Sequence, residues 1–589
     1  MQKTTVTLPD CISFVFSARA RRLLAGFLVA AGAAGAAQGQ VGAADLVLHN
    51  GKIWTVDEAN PQAEAVAVRG ERIIAVGTSR EILALKGPST RVVDLEGRRV
   101  LPGFNDAHTH FENATEWFYR VNLHDVNDQA EFDRRLAEAV ARVPEGFWIT
   151  GGDWATAGGF EPELEAIDRI APRHPVLLRN SDREFFANSM ALRHVRLDKR
   201  APDPRGGRYG RDPTSGDLSG MLYGTAGDNV QAMLPPISLE QKLVSARNLM
   251  RQLNGVGITS VSDISRIDAM SQRQTYHTHV ERSFSDIGIF QALRDRGELT
   301  VRVFAMLPLT VWREAREEKL FPGSGDAMIR FGTLKALADA SLMHEPFANR
   351  PGYAGGWSFR VRDEAELRRD ILDADGAGFD LGVHVLGDRA VQFLTDAYAD
   401  AIAANGPRDR RLRVIHAWYA TPEDLARIGA MGMIVDVTPS HLSHEWKQLD
   451  ASLGPSRVAG AHAWRTLIDH GAVLNIVSDM PGGFVKGNMS PFNPFENIYY
   501  AVTRQDMDGL PEGGWRGDQR LTLAEAVRAY TLNPAYSARE DGLKGSITVG
   551  KLADMVVVSQ DIFSIEPREL LNVEAIMTVM GGVIVHERK

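Results

Sequence analysis

Two histidines one residue apart, in the run Asp106-Ala107-His108-Thr109-His110, give the first sign of chemistry in this chain. In extended backbone, residues i and i+2 point the same way, so both imidazoles can reach one metal ion. The same spacing recurs at His277-Thr278-His279, but in a polar stretch with no apolar strand before it, which reads as surface. His384 and His416 each close a separate apolar run, and Asp479 ends another, Ile476-Val477-Ser478-Asp479. Imidazoles and a carboxylate make an N/O donor set suited to Zn²⁺ or a similar divalent ion. The only cysteine is Cys11, so a disulfide framework, a thiolate metal site and a cysteine nucleophile are excluded.

Lys335 stands inside the apolar run Gly332–Leu337, where an unpaired ammonium is costly. Two readings stay open. It pairs with Asp339 or reaches the rim, or it is carbamylated by CO₂ and becomes an anion able to bridge two metals. His441, just after Thr438-Pro439-Ser440, is either a substrate-orienting group or a loop histidine. Asp339 and Trp154 are further candidates for substrate contact, and Trp154 and Phe160 could line an apolar pocket. Asp388 is expected to cap a helix starting at Arg389 and so hold the loop that carries His384.

These residues need a scaffold that brings distant segments to one point. Apolar strand, polar loop and helix repeat along the middle of the chain, with strands expected at Val100–Asn105, Gly257–Val261, Val301–Met306, Gly332–Leu337, Asp380–His384, Arg413–His416, Met433–Val437 and Val473–Val477. Helical stretches at Glu364–Ala377 and Ala390–Ala404 lie between them, as parallel strands require. Eight such units predict an α/β fold of the (β/α)₈ TIM-barrel type, in which polar residues at the C-terminal strand ends converge on one active site. Short strands at both termini predict a small β-sandwich domain built from residues 45–98 and 546–589, around a barrel spanning 99–545. Residues of about 122–236 do not fit one βα repeat and read as an insertion after the first barrel strand, placed to cover the barrel mouth.

The first 44 residues read as a cleavable signal. Arg19, Arg21 and Arg22 precede the apolar run Leu23–Ala31, which gives way to small residues ending near Ala37 or Ala44. The run is too short to span a bilayer comfortably. Arg21-Arg22 before Leu23-Leu24 leaves a Sec or a twin-arginine route open, and either predicts a periplasmic or secreted protein. The composition of the full sequence, 44% hydrophobic and 24% charged, excludes a disordered or fibrous chain. A net charge of −9 leaves no basic footprint for nucleic acid.

The segment Leu101-Pro102-Gly103-Phe104-Asn105-Asp106-Ala107-His108-Thr109-His110 resembles the first-strand signature of the amidohydrolase superfamily. Lys335–Asp339, His384–Ala390, Ser478–Pro481, Asn188–Leu192, Asn533–Ala535 and Gly545–Asp554 are similar to its YtcJ-like branch, which includes N-substituted formamide deformylase. The resemblance runs from about residue 45 onward. It implies that His108 and His110, with Asp479 and a carbamylated Lys335, bind a more buried metal, and that His384 and His416, with the same lysine, bind a second. The chain departs from the branch at Ile415 (usually glutamate), Ala340 (glycine), Thr438 (glutamine) and Arg183 (histidine).

The chemistry so implied is hydrolysis of an amide or related C–N bond. A bound divalent ion acidifies water and polarises a carbonyl, and Asp479 serves as general base and then acid. Deaminase, dipeptidase or acyl-amino-acid hydrolase, and lactonase chemistry share such a site. A periplasmic binding protein that kept the fold without catalysis is the alternative from another class. The expected partner is a small-molecule substrate, with no nucleic acid and no membrane once the signal is cleaved, and with a homodimer left open.

Overall fold

The computed structural model describes residues 43–123, 126–152, 154, 161–180, 184–266, 285–340, 359–360, 362–481 and 492–588. Residues 1–42 of the expected signal, Phe160, Arg183, His277 and His279 lie outside the described residues, and Ala44, the last residue of that signal, already begins the strand Ala44–His49. Eight parallel strands form the central barrel: β1 (Phe104–Thr109), β2 (Ile258–Arg266), β3 (Arg302–Pro308), β4 (Ile329–Leu337), β5 (Asp380–Val385), β6 (Arg413–His416), β7 (Ile434–Val437) and β8 (Val473–Ile476). Each pairs in parallel with its neighbour in chain order, for example Lys335 with Gly382 and Val385 with His416. A parallel bridge from Thr109 to Met480 brings the segment after β8 back to β1. The helices Glu364–Gly376 and Asp388–Asn405 connect β4 to β5 and β5 to β6 where the apolar spacing predicted them.

The expected first strand from Val100 is in fact two strands separated by Gly103. Arg99–Pro102 pairs antiparallel with Met555–Val558 in a six-stranded sheet, whereas Phe104 begins the barrel. A Cβ at Gly103 would come within 2.3 Å of Thr259 Oγ1, so only glycine lets the chain pass there without a shift. The six-stranded sheet and a four-stranded one, ordered 72–77, 65–69, 44–49, 86–94, share a core that includes Leu46, Val68, Val100, Met555 and Val579. Residues from both termini thus build the smaller β unit together. It is pinned to the barrel by Arg302 of β3, whose Nε and Nη2 donate to the Asp554 carboxylate at 2.8 and 3.0 Å in a buried pair.

The insertion forms its own sheet, ordered 207–211, 218–224, 185–187, 177–179, 150–152, 120–122. A separate hydrophobic cluster, including Phe132, Leu136, Ile167 and Phe186, underlies it. Among the described residues no helix is long and apolar enough to cross a membrane.

Candidate metal centre

His108 lies within β1, His110 just beyond its end, His384 in β5, His416 at the end of β6 and Asp479 three residues past β8. The barrel brings them to one place. Asp479 Oδ1 lies 3.3 Å from His108 Nε2 and 3.2 Å from His110 Nε2, and its Oδ2 lies 3.8 Å from His416 Nε2. One donor atom from each of His108, His416 and Asp479 falls within 4.8 Å of the others. The His384 ring sits against that of His416, with centroids 4.7 Å apart. Lys335 is buried, and its Nζ lies 3.5 Å from His108 Nε2.

The electrostatics suit a cation. Burial, reinforced by the Lys335 charge, holds His108 well below the ordinary imidazole range and His384 at about 3; burial also drives His416 far down. These rings are therefore neutral and keep a lone pair for a ligand bond. Burial alone would raise the Asp479 carboxyl, but His108, His110 and His416 outweigh it and hold it well below the usual carboxylate range. Burial lowers Lys335 to about 7, against the pull of Asp479 and Asp436. Two donors each ~2.0–2.1 Å from one tetrahedral zinc are ~3.3 Å apart, which is the spacing of Asp479 from His108 and His110. The residues present therefore fit a divalent ion.

Backbone strain gathers at the same strand ends. His416, Ala417 and Asp479 have φ of 74°, 44° and 55°, a region that side-chain-bearing residues rarely occupy and that clusters at functional sites. Several groups hold this geometry. Asp263 of β2 accepts from Phe111 N–H at 2.7 Å and from the Thr109 hydroxyl at 3.2 Å, fixing the turn after His110. Asp106 Oδ1 accepts from Ser478 N–H at 3.1 Å, tying β1 to the segment that carries Asp479. Thr438, in the place of the branch's glutamine, sets its hydroxyl 3.3 Å from His416 Nδ1 and so orients the ring.

The other expected residues are placed differently. His441 is buried on the first turn of the helix Pro439–Leu453, its Nε2 3.8 Å from Asp479 Oδ2. Asp339 is buried in the short strand Asp339–Ala340 that follows β4. Its two oxygens accept from Leu386 and Gly387 N–H, each at 3.0 Å, and so secure the turn after His384. That is the loop-holding task expected of Asp388. Asp388 is instead the first residue of its helix, Gly387 is the N-cap with no side-chain cap bond, and the Asp388 carboxylate lies 3.5 Å from Arg457. Trp154 is 1% exposed and packs edge-on to Phe132 in the insertion's core, where it supports that sheet.

A family model described as "Amidohydrolase family" matches residues 91–586. The chain is 30% identical over 558 residues to "Protein LONG AFTER FAR-RED 3" of Arabidopsis thaliana, covering 92% of this chain and 91% of that protein. It is 27% identical to "N-substituted formamide deformylase" of Arthrobacter pascens, covering 92% of this chain and 98% of the relative. "Putative amidohydrolase YtcJ" of Bacillus subtilis is also 27% identical, with 92% and 99% covered. The fold is shared with the crystal structure of "an uncharacterized metal-dependent hydrolase" from Pyrococcus furiosus, at TM-score 0.65 and 21% identity, covering 88% of this chain and 99% of the other.

Proposed function

The chain belongs to the amidohydrolase family, and on that premise we propose that this metal-dependent hydrolase cleaves an amide or related C–N bond of a small molecule. The observation that carries the proposal is the convergence of His108, His110 and His416 on the Asp479 carboxylate. The similarity to N-substituted formamide deformylase supports the choice of bond.

His108, His110 and Asp479 would hold one Zn²⁺ or similar divalent ion, and His384 and His416 a second, with Lys335 between them. When bound, such an ion polarises a carbonyl oxygen and makes water acidic enough to be deprotonated near pH 7. Asp479, held anionic, accepts the proton of the attacking water and passes it to the leaving nitrogen. His441, whose Nε2 lies 3.8 Å from Asp479 Oδ2, orients the substrate. Lys335, lowered to about 7, has a large free-amine fraction at neutral pH. Its nitrogen adds to the carbon of CO₂ and releases a proton, leaving a carbamate whose two oxygens replace a buried cation with an anion.

The run of Arg21-Arg22 before Leu23–Ala31 supports export and with it a reaction in the periplasm or outside the cell. A hydrolysis screen of N-acyl, N-formyl and cyclic amides with zinc-reconstituted protein tests the proposal, with Asp479→Asn as control. Turnover of at least one amide by the wild type and its loss in the variant are expected. Equal turnover by both removes Asp479 from its role.

A further inference from the structure

A fully buried ionic network lies beneath the metal ligands inside the barrel. Arg413 of β6 and Asp436 of β7 have no exposed side-chain surface. Arg413 Nη2 donates to Asp436 Oδ2 and to the Ala107 carbonyl, each at 2.6 Å, and Nε donates to Asp436 Oδ2 at 3.0 Å. Its Nη1 lies 3.2 Å from Met306 Sδ of β3. Asp436 Oδ1 accepts from Asn475 Nδ2 of β8 at 2.7 Å, and Asn475 also bonds the Ser537 hydroxyl.

Three of the strands joined here, β1, β6 and β8, lead into His108, His416 and Asp479. Ala107 directly precedes His108, Arg413 is three residues before His416, Asp436 is two before Thr438, and Asn475 is four before Asp479. His108, His416 and Asp479 are also the three residues whose donor atoms cluster within 4.8 Å. Barrel interiors are normally filled by layers of branched apolar side chains. A well-packed apolar pair in place of a buried ion pair is often neutral or stabilising, so stability is a poor account of this one. Direction is a better account. The planar guanidinium offers donors at fixed angles, which lets it hold a carboxylate and a main-chain carbonyl in one geometry, whereas an ammonium cannot.

We propose that Arg413 and Asp436 are positioning residues that set the spacing of β1, β6, β7 and β8, and through it the separation of His108, His416 and Asp479. The proposal rests on reading those three as metal ligands. The test compares thermal melting and zinc affinity, the latter by chelator competition, in the wild type, Arg413→Met/Asp436→Leu and Arg413→Lys. In the double variant a wild-type melting temperature with zinc affinity lowered ~10–100-fold is expected, the range seen when groups behind metal ligands are removed. Arg413→Lys keeps a charge beside Asp436 without the planar fork, and the same loss of affinity is expected of it, which keeps the test decisive if the double variant does not fold. Wild-type zinc affinity in a folded variant overturns the proposal. A wild type that takes up no zinc overturns the metal-ligand reading beneath it, and the two failures are distinguished by that one measurement.

Discussion

Lys335 Nζ lies 3.5 Å from His108 Nε2, a buried amine against an imidazole that is itself held neutral. Neither group can carry its full charge without cost in this setting. A lysine here is explained by chemistry at its nitrogen better than by packing, because an aliphatic side chain would fill the same strand position without the desolvation.

The buried amine makes the stability of the metal-free protein depend on pH. Lys335 is lowered from 10.5 to about 7 in the fold. Between these values the unfolded chain binds the proton and the folded one does not, so stability contributed through Lys335 rises as pH rises through that window. Denaturant melts of metal-free wild type and Lys335→Met from pH 6.5 to 9 should show the wild type gaining on the variant. A constant difference across the series contradicts the burial of a titrating amine. With zinc and bicarbonate present, Lys335→Met should bind less metal per chain than the wild type.

On the acid side the sign is the same but the groups differ. His384 and His462 are both lowered to about 3 by burial, from an ordinary 6.5. As pH falls from 6.5 towards 3, the unfolded imidazoles take up protons that the folded ones refuse, and stability is lost. Metal-free protein should therefore melt progressively lower across this window. His462→Gln, outside the metal ligands, should flatten the slope, and an unchanged slope contradicts the burial assigned to His462.

Asp479→Asn keeps the shape of the carboxylate and removes its basicity. A fall in kcat of ~10²–10⁴ is expected for loss of a general acid–base group. Metal content measured alongside separates a lost proton carrier from a lost ligand.

Much of this arrangement was legible in the sequence. The eight apolar runs marked the barrel strands, and His384, His416 and Asp479 stood where such strands end. Arg413 and Asp436 carried the same signal as Lys335, a charge within a buried run, and were open to the same inference. The contact of Thr438 with His416 depends on the register of β6 against β7, in which Ile415 faces Asp436, and no local pattern encodes that register. The break at Gly103 was signalled by the Pro102-Gly103 pair, a turn dipeptide, but was overridden because Val100-Leu101 and Phe104 on either side read as one apolar run. The core position of Trp154 was not legible because an aromatic side chain in an insertion looks the same whether it lines a pocket or fills a core.

Arg302 and Asp554 offer a test of the joint between barrel and β-sandwich. Both are almost wholly buried, and Asp554 also accepts from Gly581 N–H at 2.8 Å. Removing one partner leaves the other charge buried and unpaired, so Arg302→Met should cost ~3–5 kcal/mol in chemical denaturation. A change below ~1 kcal/mol contradicts that assignment, since an exposed ion pair would cost no more.

Gly103 alone separates a strand of the terminal sheet from the strand that carries His108. The two sheets are thus successive lengths of one taut cord, with no slack loop between them to absorb a rotation. Any tilt of the outer β unit about that point must drag His108, five residues on, out of register with Asp479. Lesions far out in the terminal strands should therefore announce themselves as loosened metal before they register as a lower melting point.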